Sequence, residues 1–357
     1  MKNYLSISDI DSLADWVEEA QSLKRDPKAD AHLGKGKTLC LLFFNNSLRT
    51  RLSTQKAAMN LGMETMVMNF GNEGWALEYG DGTVMDAGTS EHIKEAARVV
   101  SQYCDIVAIR AFAGLKDKAR DETEEVLNGF RKYASVPILN MESSVGHPLQ
   151  ALADAITLAE HGLRTLSKNE NPYPSDKNQK DASQEGSGHY SKEISDHSGK
   201  QENASGNGTG HRPKVVLSWA PHPKALPHAV ANSFVEMMRL QDAEFVITHP
   251  KGYELNPAIT AGLQIEYDQT RACKDADFIY VKNWSAYSDY GKIISQDKDW
   301  MMTSDKLGGA KFMHCLPVRR NVVVEDAVLD SGQSLVIEQA NNRTFAAQVV
   351  LKKLLKQ

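Results

Sequence analysis

The chain is short of cysteine, of excess positive charge and of long apolar runs, and each shortage excludes something. Its four cysteines, Cys40, Cys104, Cys273 and Cys315, are scattered among 357 residues with no C-x-x-C pair. Neither a zinc ribbon nor a dithiol redox motif is spelled out, so the four read as free thiols. Acidic side chains outnumber basic ones, 46 against 41, for a formal charge of −5. That balance argues against a nucleic-acid partner, yet leaves room for local basic clusters that hold small anions. No apolar stretch approaches the ~20 residues that span a bilayer. The opening MKNYLSISDIDSL also lacks the basic-then-apolar order of a secretion signal. No membrane partner and a cytoplasmic location are therefore expected, and the glycosylation sequons at Asn203 and Asn207 carry little meaning.

What is present, 41% hydrophobic and 24% charged residues, is average for a soluble globular protein. A chain of this length exceeds what one hydrophobic core usually serves, so two domains are expected. Composition breaks once and abruptly. From Ser167 to about Arg212 the only large apolar side chains are Tyr173, Tyr190 and Ile194. Such a segment buries too little surface to offset its ordering entropy, so 167–212 is expected to be a disordered insertion.

On both sides of the insertion, short β-rich runs alternate with helix-length segments. In the first half Thr38–Phe44, Thr65–Met68, Ile106–Ile109 and Ile138–Leu139 read as strands, with helices near 50–62, 91–103, 121–133 and 148–160. In the second half Val215–Trp219, Phe245–Thr248, Phe278–Val281, Phe312–Cys315 and Leu335–Glu338 take the strand role, and Arg343 to Leu355 reads as a closing helix. The pattern predicts an α/β fold of two doubly wound, parallel-sheet domains. Residues 1–150 would form one, with the closing segment 343–357 packing back onto it, and 151–342 the other. Ligands in such folds bind beyond the carboxyl ends of the strands.

That rule gives meaning to LLFFNNSLRTRLS, residues Leu41 to Ser53. If Leu39–Phe44 is a strand and Thr50–Leu61 a helix, then Ser47, Leu48, Arg49, Thr50 and Arg51 sit where a strand ends and a helix begins. Unpaired backbone N–H groups, the positive end of the helix dipole, hydroxyls and guanidiniums converge there, as a phosphate site requires. The bland alternative is a Ser47 helix cap beside two solvated arginines. Upstream, Gly34-Lys35-Gly36-Lys37-Thr38 imitates the end of a Walker A loop. It fails because Ala31 stands at the first glycine position and the segment precedes its strand. Other strand ends offer Arg110, then Glu142 ahead of a helix opened by His147-Pro148-Leu149-Gln150, then His314-Cys315-Leu316-Pro317. Each alone could be a surface cation, a capping histidine or a buried thiol; together they outline a site.

Ser-x-Arg-Thr-Arg, His-Pro-x-Gln and His-Cys-Leu-Pro, in that order across two α/β halves, resemble the signature of the aspartate and ornithine transcarbamylase family. The acylornithine branch is the nearer likeness. Its features here are Trp75 after an Asn-Glu-Gly loop, Gly82–Glu95, Ile109–Phe112, Trp219–Pro223, Val281–Trp284 and Leu316–Asn321. The resemblance implies carbamoyl phosphate and an N-acylornithine as substrates, no cofactor and no metal, a homotrimer with shared sites, a place in arginine biosynthesis, and a knotted C-terminal domain. By that likeness Ser47, Leu48, Arg49, Thr50 and Arg51 hold phosphate, with Trp75 reaching in from a neighbouring subunit. Thr50, Arg110, His147 and Arg343 polarise the carbonyl, while Gln150 and the backbone of Cys315 and Leu316 orient the carbamoyl amide. Glu142, Lys282 and Arg319 meet the amino-acid substrate. Ser90 stands where acetyl-using relatives tend to carry Glu and succinyl-using relatives Pro. Serine keeps the site neutral, which leans to a succinyl acceptor, with acetyl left open. A non-catalytic sensor of carbamoyl phosphate, or a scaffold recruiting a partner through 167–212, are the readings from other classes.

Overall fold

In a computed structural model the described residues are 1–71, 73–167, 170 and 212–356. The insertion expected at 167–212 lies outside them apart from Ser167, Glu170 and Arg212. The first half runs α1 (Leu13–Arg25), β1 (Thr38–Phe43), α2 (Arg49–Asn60), β2 (Glu64–Asn69), β3 (Leu77–Glu78), β4 (Glu91–His92), α3 (Ile93–Val100) and β5 (Ile106–Arg110). It continues through α4 (Lys118–Glu122), α5 (Glu125–Tyr133), β6 (Ile138–Glu142) and α6 (Pro148–Glu160). The second half contains β7 (Lys214–Trp219), α7 (Ala229–Met238), β8 (Glu244–Thr248), α8 (Pro257–Thr260), β9 (Gln264–Glu266) and α9 (Gln269–Cys273). It ends with β10 (Phe278–Lys282), α10 (Ser304–Leu307), β11 (Lys311–Met313), α11 (Asp326–Leu329) and α12 (Val336–Leu355).

The central strands are unbroken apolar runs. In β5 and β10 all five residues are buried, as strands covered on both faces must be. They assemble into two parallel sheets with strand orders β2-β1-β5-β6 and β11-β10-β7-β8-β9. In each sheet the chain departs in opposite directions from a central pair, β1 beside β5 and β7 beside β10. Such switch points open a crevice at the carboxyl ends of the strands. Arg110 and Lys282 are thereby delivered to a crevice shared by the two halves.

Two helices join the halves. Every residue of α6 from Pro148 to Leu158 is buried, the mark of a helix enclosed on all sides. The 20-residue α12 packs against α6, α2 and α1. One apolar cluster therefore runs from Leu39 and Leu41 of the first sheet through Leu152 and Val349 to Trp219 and Tyr280 of the second. Trimming such a residue, Leu152→Ala for example, costs about 2–5 kcal/mol. Loops also meet across the crevice. Gly291, at φ +72°, lies where an added Cβ would stand 2.1 Å from the Leu115 carbonyl oxygen. Only glycine fits that approach.

The sequence-based elements need three corrections. Leu335–Glu338 is not a strand: only Ser334 bridges Phe312, and α12 begins at Val336 rather than Arg343. A short apolar run looks alike in a strand and in a buried helix, so periodicity does not separate them. The helix expected over 121–133 is two, α4 and α5, divided where Glu124 adopts a left-handed φ of +47°. The strand expected to reach Cys315 stops at Met313, which leaves His314 to Pro317 as a turn. Among the described residues no helix is long and apolar enough to cross a membrane.

Candidate active site

A cleft of about 520 Å³ lies at the carboxyl ends of both sheets. Its walls carry Ser47, Arg49, Thr50, Arg110, Glu142, His147 and Gln150 from the first half, and Lys282, Cys315, Leu316, Arg319 and Arg343 from the second. A larger hollow of about 960 Å³, between Asp268 and Lys311, opens near the amino ends of β10 and β11. None of the candidate residues lines it; they gather in the smaller cleft instead.

The first wall begins at the amino end of α2. The backbone N–H of Thr50 donates to Ser47 Oγ at 3.3 Å. A hydroxyl accepting there fixes the turn that starts the helix. Thr50 is buried. Burial, with Arg110 nearby, holds the Arg49 guanidinium below its ordinary value. Its Nε has no hydrogen-bond partner among the described residues. Arg110 ends β5, where the register to β6 slips so that it faces Glu142. Its Nε and Nη2 donate to Glu142 Oε2 at 3.0 and 2.9 Å, and Nη1 donates to the carbonyls of Asn45 and Asn46, each at 2.9 Å. The Phe112 ring centre lies 4.8 Å from the guanidinium carbon, within the range of a cation–π contact.

Arg343 reaches the same wall from α12. Its Nη2 donates to Thr50 Oγ1 at 2.6 Å and faces His147 Nε2 at 3.4 Å. Burial pushes Arg343 down to about 10, still charged at neutral pH. Burial, with Arg343, Arg110 and Lys282 close by, pushes the His147 imidazole well below its ordinary range, so it is neutral. Because a guanidinium N–H faces Nε2, the ring proton belongs on Nδ1. That nitrogen is buried without a partner among the described residues. Thr50 Oγ1, already accepting from Arg343, likewise keeps its own proton to donate.

Gln150 lies one helical turn before Asp154 in α6, and its Nε2 donates to Asp154 Oδ1 at 2.7 Å. That leaves Gln150 Oε1 buried and unpartnered. Opposite, His314 Nδ1 accepts from the Leu316 N–H at 2.8 Å, closing a turn in which Leu316 has φ +54°. A left-handed φ is costly for leucine and persists only where surroundings enforce it. Burial raises the Cys315 thiol, which therefore stays protonated and is a poor nucleophile.

The second wall is looser. Lys282 ends β10, is 8% exposed, and has no hydrogen-bond or ion-pair partner among the described residues. Arg319 Nε donates to His222 Nε2 at 3.2 Å. Five cations, Arg49, Arg110, Lys282, Arg319 and Arg343, thus face one carboxylate, Glu142. Around them the buried atoms Arg49 Nε, His147 Nδ1, Gln150 Oε1 and Arg343 Nε lack partners among the described residues. Such a surface is built for anions carrying both donors and acceptors. Among the described residues no His, Cys, Asp and Glu side chains gather into a metal site.

Comparison with known proteins accounts for this arrangement. Residues 2–160 match the carbamoyl-phosphate-binding domain of aspartate/ornithine carbamoyltransferases, and residues 227–354 match their Asp/Orn-binding domain. The chain belongs to the aspartate/ornithine carbamoyltransferase family. Within that family it falls in the acylornithine branch. It is 42% identical to the N-succinylornithine carbamoyltransferase of Bacteroides thetaiotaomicron, over 99% of each chain. It is 32% identical to the N-acetylornithine carbamoyltransferase of Xanthomonas axonopodis pv. citri, over 100% of this chain and 97% of the other. A crystal structure of acetylornithine transcarbamylase complexed with acetylcitrulline superposes with a TM-score of 0.81 at 31% identity, covering 100% of both chains. A variant N-acetyl-L-ornithine transcarbamylase, complexed with carbamyl phosphate and N-succinyl-L-norvaline, gives 0.81 at 30% identity, over 99% of this chain and 100% of that one.

For this carbamoyltransferase, four residues that the resemblance implicated stay out of the cleft of a single chain: Leu48, Arg51, Trp75 and Ser90. Leu48 and Trp75 are 67% and 54% exposed, and Trp75 Nε1 donates to Glu91 at 2.9 Å. Conversely, Phe112, His222, Leu226, Pro227, Val230, Pro317 and Val318 line the cleft without having been singled out as site residues. His222 had a legible signal, the polar residue inside Trp219–Pro223 just past a strand end. Phe112, Pro317 and Val318 lay inside quoted motifs, while Leu226, Pro227 and Val230 had no signal.

Proposed function

We propose that the chain transfers the carbamoyl group of carbamoyl phosphate to the δ-amine of N-succinyl-L-ornithine, giving N-succinyl-L-citrulline and phosphate in arginine biosynthesis. One observation carries this reading: five cations and four unpartnered buried polar atoms surround a single cleft whose only lining carboxylate is Glu142. Carbamoyl phosphate brings about two negative charges, and N-succinylornithine with a neutral δ-amine brings two carboxylates. N-acetylornithine brings one, which leaves a cation unanswered. The 42% identity to a named N-succinylornithine carbamoyltransferase supports the same choice, and Ser90 adds no negative charge against a succinyl carboxylate. The acetyl reading rests on the N-acetylornithine relatives at 32%.

In this account Ser47, Arg49, Thr50 and Arg51, with the backbone beside Leu48, hold the phosphate at the start of α2. The Thr50 hydroxyl, His147 Nδ1–H, Arg110 and Arg343 face the carbonyl oxygen as it gains charge, each good donor contributing about 3 kcal/mol. Gln150 Oε1 and the carbonyls of Cys315 and Leu316 accept from the carbamoyl amide. Lys282 and Arg319 pair with the carboxylates of the acceptor, and Glu142 steadies its amine. The amine attacks the carbonyl carbon, the C–O bond to phosphate breaks, and the amine proton passes to the departing phosphate. No covalent enzyme intermediate is needed when positioning and charge supply the rate. Residues 1–150 with the closing helix form the carbamoyl-phosphate side, and 151–342 the acceptor side.

A homotrimer completes the proposal. Leu48, Leu52 and Met59 form an exposed apolar stripe along α2 beside Met66 on the edge strand β2, with exposed Trp75 on the loop that follows. A second copy covering that face would bring Trp75, Arg51 and Ser90 toward a neighbour's cleft. Sedimentation at three times the chain mass supports this; a monomer at assay concentration overturns it. The activity is tested by carbamoyl-phosphate-dependent product formation from N-succinylornithine, N-acetylornithine and ornithine, with Arg49→Ala as blank. Turnover of the succinyl compound at least tenfold above the others supports the reading, and preference for the acetyl compound overturns the acyl assignment. Binding of carbamoyl phosphate without turnover of any acceptor would make the chain a sensor.

A further inference from the structure

Asp154 lies beneath the cleft without touching it. It is fully buried on α6, and its Oδ1 accepts from two amides at once: Gln150 Nε2 at 2.7 Å and Gln339 Nε2 at 2.6 Å. Gln339 belongs to α12, and its own Oε1 accepts from the His314 N–H at 3.0 Å, the first residue of the turn that presents Cys315 and Leu316. The Tyr280 hydroxyl lies beside both Asp154 and the Cys315 thiol. One carboxylate thus ties together Gln150 on one wall and the His314–Leu316 turn on the other.

A glutamine amide is nearly symmetric in shape, so packing alone does not choose which end faces the ligand. An ionised aspartate does choose, because its oxygens accept and carry no proton to donate to the amide. With Nε2 committed to Asp154, Gln150 offers only its unpartnered Oε1 to the cleft. Gln339 is fixed in the same sense, with Nε2 on Asp154 and Oε1 on the turn. The first choice puts an acceptor where an –NH₂ group would sit, and the second anchors the turn that carries the Cys315 and Leu316 carbonyls. Burial raises the Asp154 carboxyl to about 7, a strain this chain accepts at a position with no substrate contact.

We infer that Asp154 is a positioning residue that sets the hydrogen-bond polarity of Gln150 and of the Cys315–Leu316 turn, and so makes the site select a carbamoyl –NH₂ over an isosteric methyl group. This rests on the carbamoyl-phosphate reading above. The test compares affinities for carbamoyl phosphate, acetyl phosphate and inorganic phosphate in the wild type, Asp154→Ala and Asp154→Asn, each first shown to be folded by circular dichroism. Acetyl phosphate keeps shape and charge and lacks the amide donors.

The wild type is expected to prefer carbamoyl over acetyl phosphate by at least tenfold, the worth of one or two well-formed hydrogen bonds. Asp154→Ala loses that preference while acetyl phosphate and phosphate still bind within about threefold of wild type. Asp154→Asn, which keeps an acceptor oxygen, restores most of it. Asp154→Thr, closer in volume and able to donate to Gln150, gives the same reading should Asp154→Ala not fold. The inference is overturned if the folded variants keep the preference, or if all three anions weaken together as a merely structural role would require. A wild type that binds no carbamoyl phosphate at all would instead overturn the functional reading beneath it.

Discussion

Arg110 and Lys282 occupy corresponding places, each the last residue of the strand beside a switch point, yet they are treated in opposite ways. The Arg110 guanidinium is held by Glu142 and by two backbone carbonyls, in a geometry set before any ligand arrives. The Lys282 ammonium, equally buried, has no such partner among the described residues. In the proposed reading the first wall carries the groups that face the reacting carbonyl, where preorganisation matters most. The second, in the same reading, carries charges for a substrate's carboxylates, which suits selection of the acceptor. Damage to the first wall should therefore appear in kcat, and damage to the second in the acceptor's KM.

The largest expected effect breaks the first wall. Arg343→Gln removes the charge shared by Thr50 and His147 and should lower kcat about a thousandfold while acceptor KM moves little. A loss confined to KM would erase the contrast between the walls. Next, Lys282→Met should raise the acceptor KM about thirtyfold, the worth of a charged hydrogen bond, and leave the carbamoyl-phosphate KM within twofold. Steady-state kinetics with each substrate varied in turn separates the two outcomes.

His147 sharpens the comparison through pH. Its native value lies well below the ordinary ~6.5. Below that pH the unfolded chain therefore takes up a proton that the folded chain refuses. This group's contribution to stability is then flat above about pH 6.5 and falls as pH drops. His147→Asn removes one such proton, and the acid-side slope of unfolding free energy should shrink by about 1.4 kcal/mol per pH unit. Urea unfolding at pH 7, 6 and 5 reads this directly, and an unchanged slope would mean that the native imidazole is not held neutral.

A gentler change probes the second wall. His222→Leu frees Arg319 from its hydrogen bond to the imidazole and should raise acceptor KM about threefold, with kcat unchanged. As a control, Arg320 pairs with Asp326 and Asp330 at the exposed surface, where ion pairs contribute little. Arg320→Gln should leave both kinetic constants and the melting temperature where they were.

The same contrast explains how much the sequence disclosed. The two parallel sheets and the placement of Arg110 were legible because continuous apolar runs must be buried on both faces, whereas β6 runs three residues past its expected end at Leu139, through Asn140, and Lys282 was named by resemblance alone. The polar residue that follows such a run falls at the crevice by topology alone. Gln150 and His147 were legible through Pro148, which marks the start of a helix. The start of α12 was not, since an apolar run at Leu335 reads equally as strand or buried helix. Asp154 was hidden because its meaning lies in partners 185 residues away, at Gln339. Trp75 and Ser90 carry roles by resemblance that one chain does not display, since both lie outside its own cleft.

The division of labour between the walls is tested most directly by a crystal structure of the chain with carbamoyl phosphate and N-succinyl-L-norvaline, which lacks the attacking amine. The account predicts phosphate oxygens at the start of α2 against Ser47, Arg49 and Thr50, the carbamoyl amide on Gln150 Oε1, and the acceptor's carboxylates at Lys282 and Arg319. Carbamoyl phosphate seated against Lys282 and Arg319, with the acyl amino acid at the start of α2, would contradict it.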